Sequence, residues 1–184
     1  MLTLTFLIKT IIDFYVVILL LRVWMQCTHI DLYNPCANFV VKSTQRVVAV
    51  LCRVIPPLGS IDSSSLLLAF LLMLIKYQLL ILVQGNTISL NLHHLLFGLV
   101  SLIKVAGYLV FWVIMIRALM SWISQSHSAI NYLMCQLTEP LMAPIRRILP
   151  ETGGIDFSTM VVILVLYLLN YLGIDLFGEL WFLL

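Results

Sequence analysis

The chain alternates between long apolar runs and shorter segments that hold most of its charge. A helix of about 20 largely apolar residues crosses a hydrocarbon core of about 30 Å. Four stretches reach that length: Leu4–Met25, Ser64–Val83, Leu92–Ile123 and Phe157–Ile174, the last followed by a hydrophobic tail, LFGELWFLL. These runs are continuous, whereas barrel strands alternate apolar and polar residues over about 10 residues, so a β-barrel is not expected. No basic segment precedes the first run, no small-residue cleavage site follows it, and Asp13 lies inside it. It is therefore expected to remain as a helix rather than act as a removable signal peptide.

Composition agrees with this pattern. Of 184 residues, 62% are hydrophobic and only 10% are charged, and the mean hydropathy is +1.12. Soluble domains carry about 45–50% apolar and about 25% charged residues. This chain has too few polar side chains to cover a water-soluble globule, and it is far too apolar to stay disordered. Its 10 Lys+Arg against 8 Asp+Glu give a formal charge of +2, without the basic excess of a nucleic-acid binder. The expected class is an all-α integral membrane protein with four transmembrane helices.

The few charges set an expected orientation. Lys42, Arg46 and Arg53 lie between the first and second runs, and Arg146 and Arg147 between the third and fourth. The connection QGNTISLN between the second and third runs has neither Lys nor Arg. By the positive-inside rule both basic segments are cytoplasmic and both termini face outward. Trp24, Trp122 and Trp181 fall near run ends, where aromatic belts form, whereas Trp112 is too deep to anchor at an interface.

Internal similarity sharpens the picture. RVIPPLGSIDSSS (residues 53–65) aligns with RILPETGGIDFST (residues 147–159) at an offset of 94. Arg53 then matches Arg147, Pro56 matches Pro150, Gly59 matches Gly153, Asp62 matches Asp156 and Ser64 matches Ser158. Upstream Thr44 matches Thr138, and downstream Lys76-Tyr77 falls on Asn170-Tyr171. With one residue of slippage Lys9 falls on Lys104 and Arg22 on Arg117. The chain thus reads as two tandem repeats, residues 1–88 and 89–184. Each holds a membrane helix, a cytoplasmic segment, an R-x-[IL]-P-x-x-G-x-I-D turn and a second membrane helix. Two spans per unit make the copies parallel, related by an axis along the membrane normal, unlike the inverted repeats of many transporters.

The pattern resembles the YggT family of bacterial inner-membrane proteins, which has plastid relatives. The resemblance covers nearly the whole chain and is most specific in the second copy: Arg117, Trp122, Thr138-Glu139-Pro140, Pro144, Arg146-Arg147, Pro150 and Gly153-Gly154-Ile155-Asp156-Phe157-Ser158. The first copy departs from it, with Thr44-Gln45-Arg46 for T-E-P, Cys52-Arg53 for the Arg pair and Gly59-Ser60 for Gly-Gly. The resemblance implies a small multi-pass protein of the bacterial inner membrane; with the charge-based orientation, both termini would be periplasmic. It links the chain to osmotic stress tolerance in bacteria and to membrane-complex assembly in plastids, and it brings no enzymatic reaction.

The cytoplasmic segments read as amphipathic helices. Val40, Thr44, Val47, Val48, Leu51 and Ile55 recur at helical spacing, with Lys42, Arg46 and Arg53 on another face. Such a helix can lie in the interface with its cations at anionic headgroups or pack on its own bundle. In the second copy Leu137, Leu141, Ile145, Ile148 and Leu149 form the corresponding face. Thr138 is expected as an N-cap, with Pro140 in the first turn and a bend at Pro144. Arg146 and Arg147 suit the last turn. Asp62 and Asp156 are placed to cap the spans that follow, or to pair with Arg53 and Arg147.

Charges inside the runs need partners, since each costs roughly 2.5–3.5 kcal/mol at mid-membrane on insertion scales. Asp13 stands four residues after Lys9 and can pair with it on one face. Lys76 and Lys104 are deep, and either pair structurally or line a polar path. Arg22 and Arg117 lie near the cytoplasmic ends, where they can snorkel, bind phosphates or pair with Asp62 and Asp156. Cys27, Cys36, Cys52 and Cys135 form no C-x-x-C pair, and their cytoplasmic placement argues against disulfides. His93 and His94 point apart on a helix, and no third ligand stands near them, so no metal is expected. No cofactor motif or catalytic signature is present. The sequence therefore leads to a non-enzymatic scaffold or assembly factor that meets anionic lipids and another membrane protein or a second copy. The alternative is a transporter or channel-like protein of ion or osmolyte homeostasis.

Overall fold

The structure is a computed structural model that describes residues 2–30, 34–53, 62–83, 92–123, 129–148, 157–178 and 181. The described regular elements are helices: α1 (Leu2–Cys27), α2 (Pro35–Cys52), α3 (Ser63–Val83), α4 (Leu92–Ile123), α5 (Ala129–Ile148) and α6 (Phe157–Phe177). Four of them, α1, α3, α4 and α6, are long and apolar enough to cross a membrane. They mark the chain as a multi-pass membrane protein. α1 extends two residues beyond the apolar run at each end, and α6 continues three residues past Ile174 to Phe177. Backbone groups near hydrocarbon have no water to bond, so a helix that enters it continues until the chain can turn.

The spans pack unequally. α1 lies along α3 over much of its length, α3 packs on α4, and α1 also touches α4. These three share one core that includes Val16, Leu19, Ala69, Met73, Leu102 and Val105. Small residues permit the close approach: a Cβ added at Gly98 of α4 would come 2.6 Å from Cδ2 of Leu74. The α4–α6 contact is slighter than the α1–α3 contact. A smaller cluster of Ile114, Met142 and Val162 ties α4, α5 and α6 together.

The two shorter helices lean on the spans of their own repeats, α2 on α1 and α3, α5 on α4 and α6. Asn34 caps α2 by accepting from the Cys36 N–H, and Pro35 sits at the first turn, where its absent N–H costs nothing. α2 turns Ala37, Val40, Thr44 and Val48 inward, and leaves Lys42 and Arg46 exposed. α5 corrects the sequence reading. It begins at Ala129 and runs through Pro140 and Pro144, so Thr138 lies inside the helix and is not its N-cap. The Thr138 hydroxyl donates to the Met134 carbonyl, one turn back, at 2.8 Å. The two prolines deprive earlier carbonyls of a donor, and the helix is held instead by its buried stripe, Leu133, Leu137, Thr138 and Met142. Leu141, expected on that stripe, is exposed.

The chain reverses after α6. Gly178 adopts φ +55, the left-handed region open to glycine. Its carbonyl accepts from the Trp181 N–H at 3.1 Å. The Trp181 ring stacks on Phe177 with centroids 5.8 Å apart, and its Nε1 donates to Asn170 Oδ1 at 3.0 Å. Trp181 is therefore buried against α6 rather than turned outward as a belt residue, because Gly173 leaves the space that the ring fills. A Cβ at Gly173 would stand 2.5 Å from the ring. We expect Gly173→Ala to displace the indole and lower the melting temperature of the detergent-purified protein, a cost of about 1–3 kcal/mol for overpacking. Trp181→Ala should remove most of that penalty, which a double-mutant cycle on thermal unfolding would measure.

Candidate functional site

Arg22 gathers the first repeat. It sits near the end of α1, where α2 and the start of α3 come together. Its Nε donates to Asp62 Oδ2 at 3.0 Å. One terminal nitrogen donates to Thr44 Oγ1 at 2.8 Å, and more weakly to the Val41 carbonyl and Gln45 Oε1, each at 3.4 Å. Asp62 also caps α3, accepting from the Ser65 N–H at 3.2 Å and the Ser65 hydroxyl at 2.8 Å. Thr44 is buried, and its hydroxyl donates to the Val40 carbonyl at 2.9 Å, which leaves an oxygen lone pair for the guanidinium. Three helices are thereby joined through one side chain. A cavity of about 430 Å³ lies elsewhere, but here a larger one of about 650 Å³ opens beside the node, lined by Arg22, Gln26, His29, Gln45 and Asp62 among others.

The second repeat builds the same arginine–threonine contact. Arg117 is buried and donates to Thr138 Oγ1, and Thr138 bonds back to the Met134 carbonyl as Thr44 does to Val40. Ser158, like its counterpart Ser64, is buried. Asp156, with Pro56, Pro150 and Gly153, lies outside the described residues. Arg146 lies 3.6 Å from Glu139, while Arg46, Arg53 and Arg147 are exposed, as is Pro140.

Inside the spans, Lys76 of α3 donates to Asp13 of α1 at 2.6 Å. The acid's ion pair is therefore across helices and not with Lys9 of its own helix. Lys-before-Asp at this spacing is the weaker order, and the buried Lys76 has no way out to water. Lys9 remains within Coulombic reach of Lys76. Lys104 donates to the Trp181 carbonyl, and its ammonium lies 5.0 Å from the centre of that ring. The repeat counterparts of Asp13 and Lys76 are Tyr108 and Asn170. No ion pair replaces theirs among the described residues. The 430 Å³ crevice lies at this level, lined by Lys104, Gly107, Tyr108, Phe111, Tyr167 and Asn170 among others. The Trp181 contacts leave little trace in the sequence beyond a tryptophan that follows two glycines, Gly173 and Gly178.

Comparison with known proteins bears on this arrangement. The CCB3/YggT family model matches residues 1–83 and 96–177, one segment for each repeat. The chain belongs to the CCB3/YggT family. Among similar proteins, the YggT protein of Escherichia coli strain K12 is 49% identical over 168 residues, covering 91% of this chain and 87% of that one. A Vibrio alginolyticus protein named for its place in the proC 3′ region is 46% identical over 181 residues, covering 98% of both chains. A Haemophilus influenzae protein is 38% identical over 174 residues, covering 95% of this chain and 93% of its own. No solved structure matches. The CCB3/YggT repeat thus carries the Arg–Thr contact in both copies of this chain, and the intramembrane ion pair in the first.

Breaking a buried pair by removing one partner costs about 3–5 kcal/mol, whereas replacing both by apolar groups is often neutral. Asp13→Leu alone should therefore lower thermal stability in detergent by that order, and Asp13→Leu with Lys76→Met should recover most of it. Asp62→Ala should be worse than Asp62→Asn. Both uncover Arg22, but the amide can still accept from the Ser65 N–H, a cap contact of about 1 kcal/mol.

Proposed function

We propose that the protein is a non-enzymatic scaffold or assembly factor of the bacterial inner membrane, acting in membrane or osmotic stress tolerance. One observation carries this reading: the charges at depth are engaged with one another or with the fold. Arg22 binds Asp62 and Thr44, Lys76 binds Asp13, and Lys104 binds the Trp181 carbonyl. A conduction path needs such groups to exchange partners with the passing species. Here they hold helices in register. On this reading α2 and α5 lie at the cytoplasmic interface, with both termini periplasmic. Exposed Lys42, Arg46, Arg53 and Arg147 then meet anionic headgroups, each contributing about 1 kcal/mol near the surface. The other partner is a membrane protein or a second copy of the chain.

One observation favours transport as a second reading. Lys9, Lys76 and Lys104 lie within Coulombic reach of one another with Asp13 the acid among them. That excess of cations would suit an anion more than a cation.

Reconstitution separates the two. We expect liposomes of the purified protein to show no ion or osmolyte flux above empty vesicles. The melting temperature should rise when phosphatidylglycerol replaces neutral lipid, and the rise should shrink in K42Q/R46Q/R53Q. A flux that Lys104→Ala or Asp13→Ala abolishes would overturn the scaffold reading in favour of transport.

A further inference from the structure

The joint between the two repeats has an unfilled counterpart at each end of the chain. Within the chain, α3 docks on α4 through Phe70, Leu74 and Tyr77. Leu74 and Phe70 are the side chains that a Cβ at Gly98 would meet, and Tyr77 packs on His94 and Phe97 with ring centroids 5.2 and 5.8 Å apart. The repeat offset of 94 carries these three positions onto Leu164, Leu168 and Tyr171 of α6. All three are exposed, at 59%, 60% and 61%.

The receiving side shows the same reversal. On α4, Ser101, Leu102 and Leu109 are buried at 6–7%, the two leucines within the core shared with α1 and α3. The offset of 95 carries them onto Phe6, Leu7 and Phe14 of α1. These are exposed at 70%, 54% and 67%. α6 makes its substantial contacts with α4 and α5, so α1 of the same chain does not take it. Lipid covers any apolar face, but lipid does not explain why the open positions are the repeat partners of a joint that is closed elsewhere in the same chain.

We propose that α6 of one chain docks on α1 of a second copy held in the same membrane orientation, repeating the α3–α4 joint between molecules. Such a contact is head-to-tail and must either close or propagate. Copies that share one orientation turn about an axis along the membrane normal, so two chains, each offering α6 and receiving on α1, can close into one ring of repeats. Apolar helices in lipid associate through packing rather than water exclusion, which suits a face already shaped by the repeat. Thr3 stands where α4 has Gly98, so the intermolecular joint is wider at that level. The inference deepens the scaffold reading and rests on its common orientation of the repeats.

Cysteine pairing in membranes tests it. The four native cysteines are replaced by serine, and one chain carries Leu168→Cys while a co-expressed, epitope-tagged chain carries Thr3→Cys, mirroring the Leu74–Gly98 contact. Oxidation should give a mixed disulfide dimer, and neither variant expressed alone should cross-link. An α6–α6 disulfide from Leu168→Cys alone, or no mixed disulfide, would overturn the joint. The unaltered chain extracted in native nanodiscs provides a readout independent of any substitution: a mass of two or more chains is expected, and a single-chain mass overturns the proposal. A single-chain mass with no flux from liposomes would leave the scaffold reading standing while removing this one.

Discussion

Arg22 binds Asp62 and Thr44 at once, and the place where α1, α2 and α3 meet follows from that side chain. A guanidinium cannot lose its proton at any ordinary pH, so a half-buried one must be given acceptors. The acceptors are drawn from two different helices. Asp62 cannot move to another partner without uncapping α3, and Thr44 is fixed by its bond to the Val40 carbonyl. The node therefore sets both the rotation of α1 and the docking of α2. Nine residues earlier on α1, about 13 Å at 1.5 Å per residue, Asp13 meets Lys76 and ties α1 to α3 a second time. Two contacts at different heights hold a helix pair in register where one would allow it to pivot.

Among the described residues, the second repeat keeps the arginine–threonine part of the first contact and not the second. Arg117 meets Thr138 as Arg22 meets Thr44, but Tyr108 and Asn170 stand where the acid and lysine would be. Without that tie α4 and α6 touch less closely, and the crevice between them is partly filled by Trp181 returning from beyond Gly178. Lys104, the counterpart of Lys9, finds a carbonyl and an aromatic face. Among the described residues, the first repeat is thus closed at this level by charge and the second by a tryptophan, although their sequences align.

What the sequence made legible follows from which forces act locally. The spans were readable because hydropathy over 20 residues needs no knowledge of neighbours. The pairing of Arg22 with Arg117, and of Thr44 with Thr138, was readable from the offset. The role of Thr138 was not. A threonine two residues before a proline looks like a helix start, and only the packing of Leu133 and Leu137 on the spans explains why the helix already exists there. Asp13 was equally ambiguous, since Lys9 is near in sequence whereas Lys76 is 63 residues away and becomes a neighbour only when α1 and α3 pair. The Trp181 contacts depend on a turn at Gly178 and a gap at Gly173 that no periodicity reports.

The difference between the repeats has a mechanical consequence. α1 and α3 are bound by side chains whose separation would strand a charge in a poor solvent, so they act as one body. α6 is bound by α5, a limited contact with α4 and an indole. Among the described residues no ion pair like Lys76–Asp13 ties α6 to α4, so α6 can adjust its tilt at that level without breaking one, and most of its length is open. If a span must fit itself to another protein, α6 is the one able to do so at low cost, and the ion-paired repeat behind it supplies the fixed frame. The same argument weighs against alternating access about the first repeat, since each cycle would have to break and remake Lys76–Asp13 away from water. A scaffold with one stiff repeat and one adaptable repeat asks for neither.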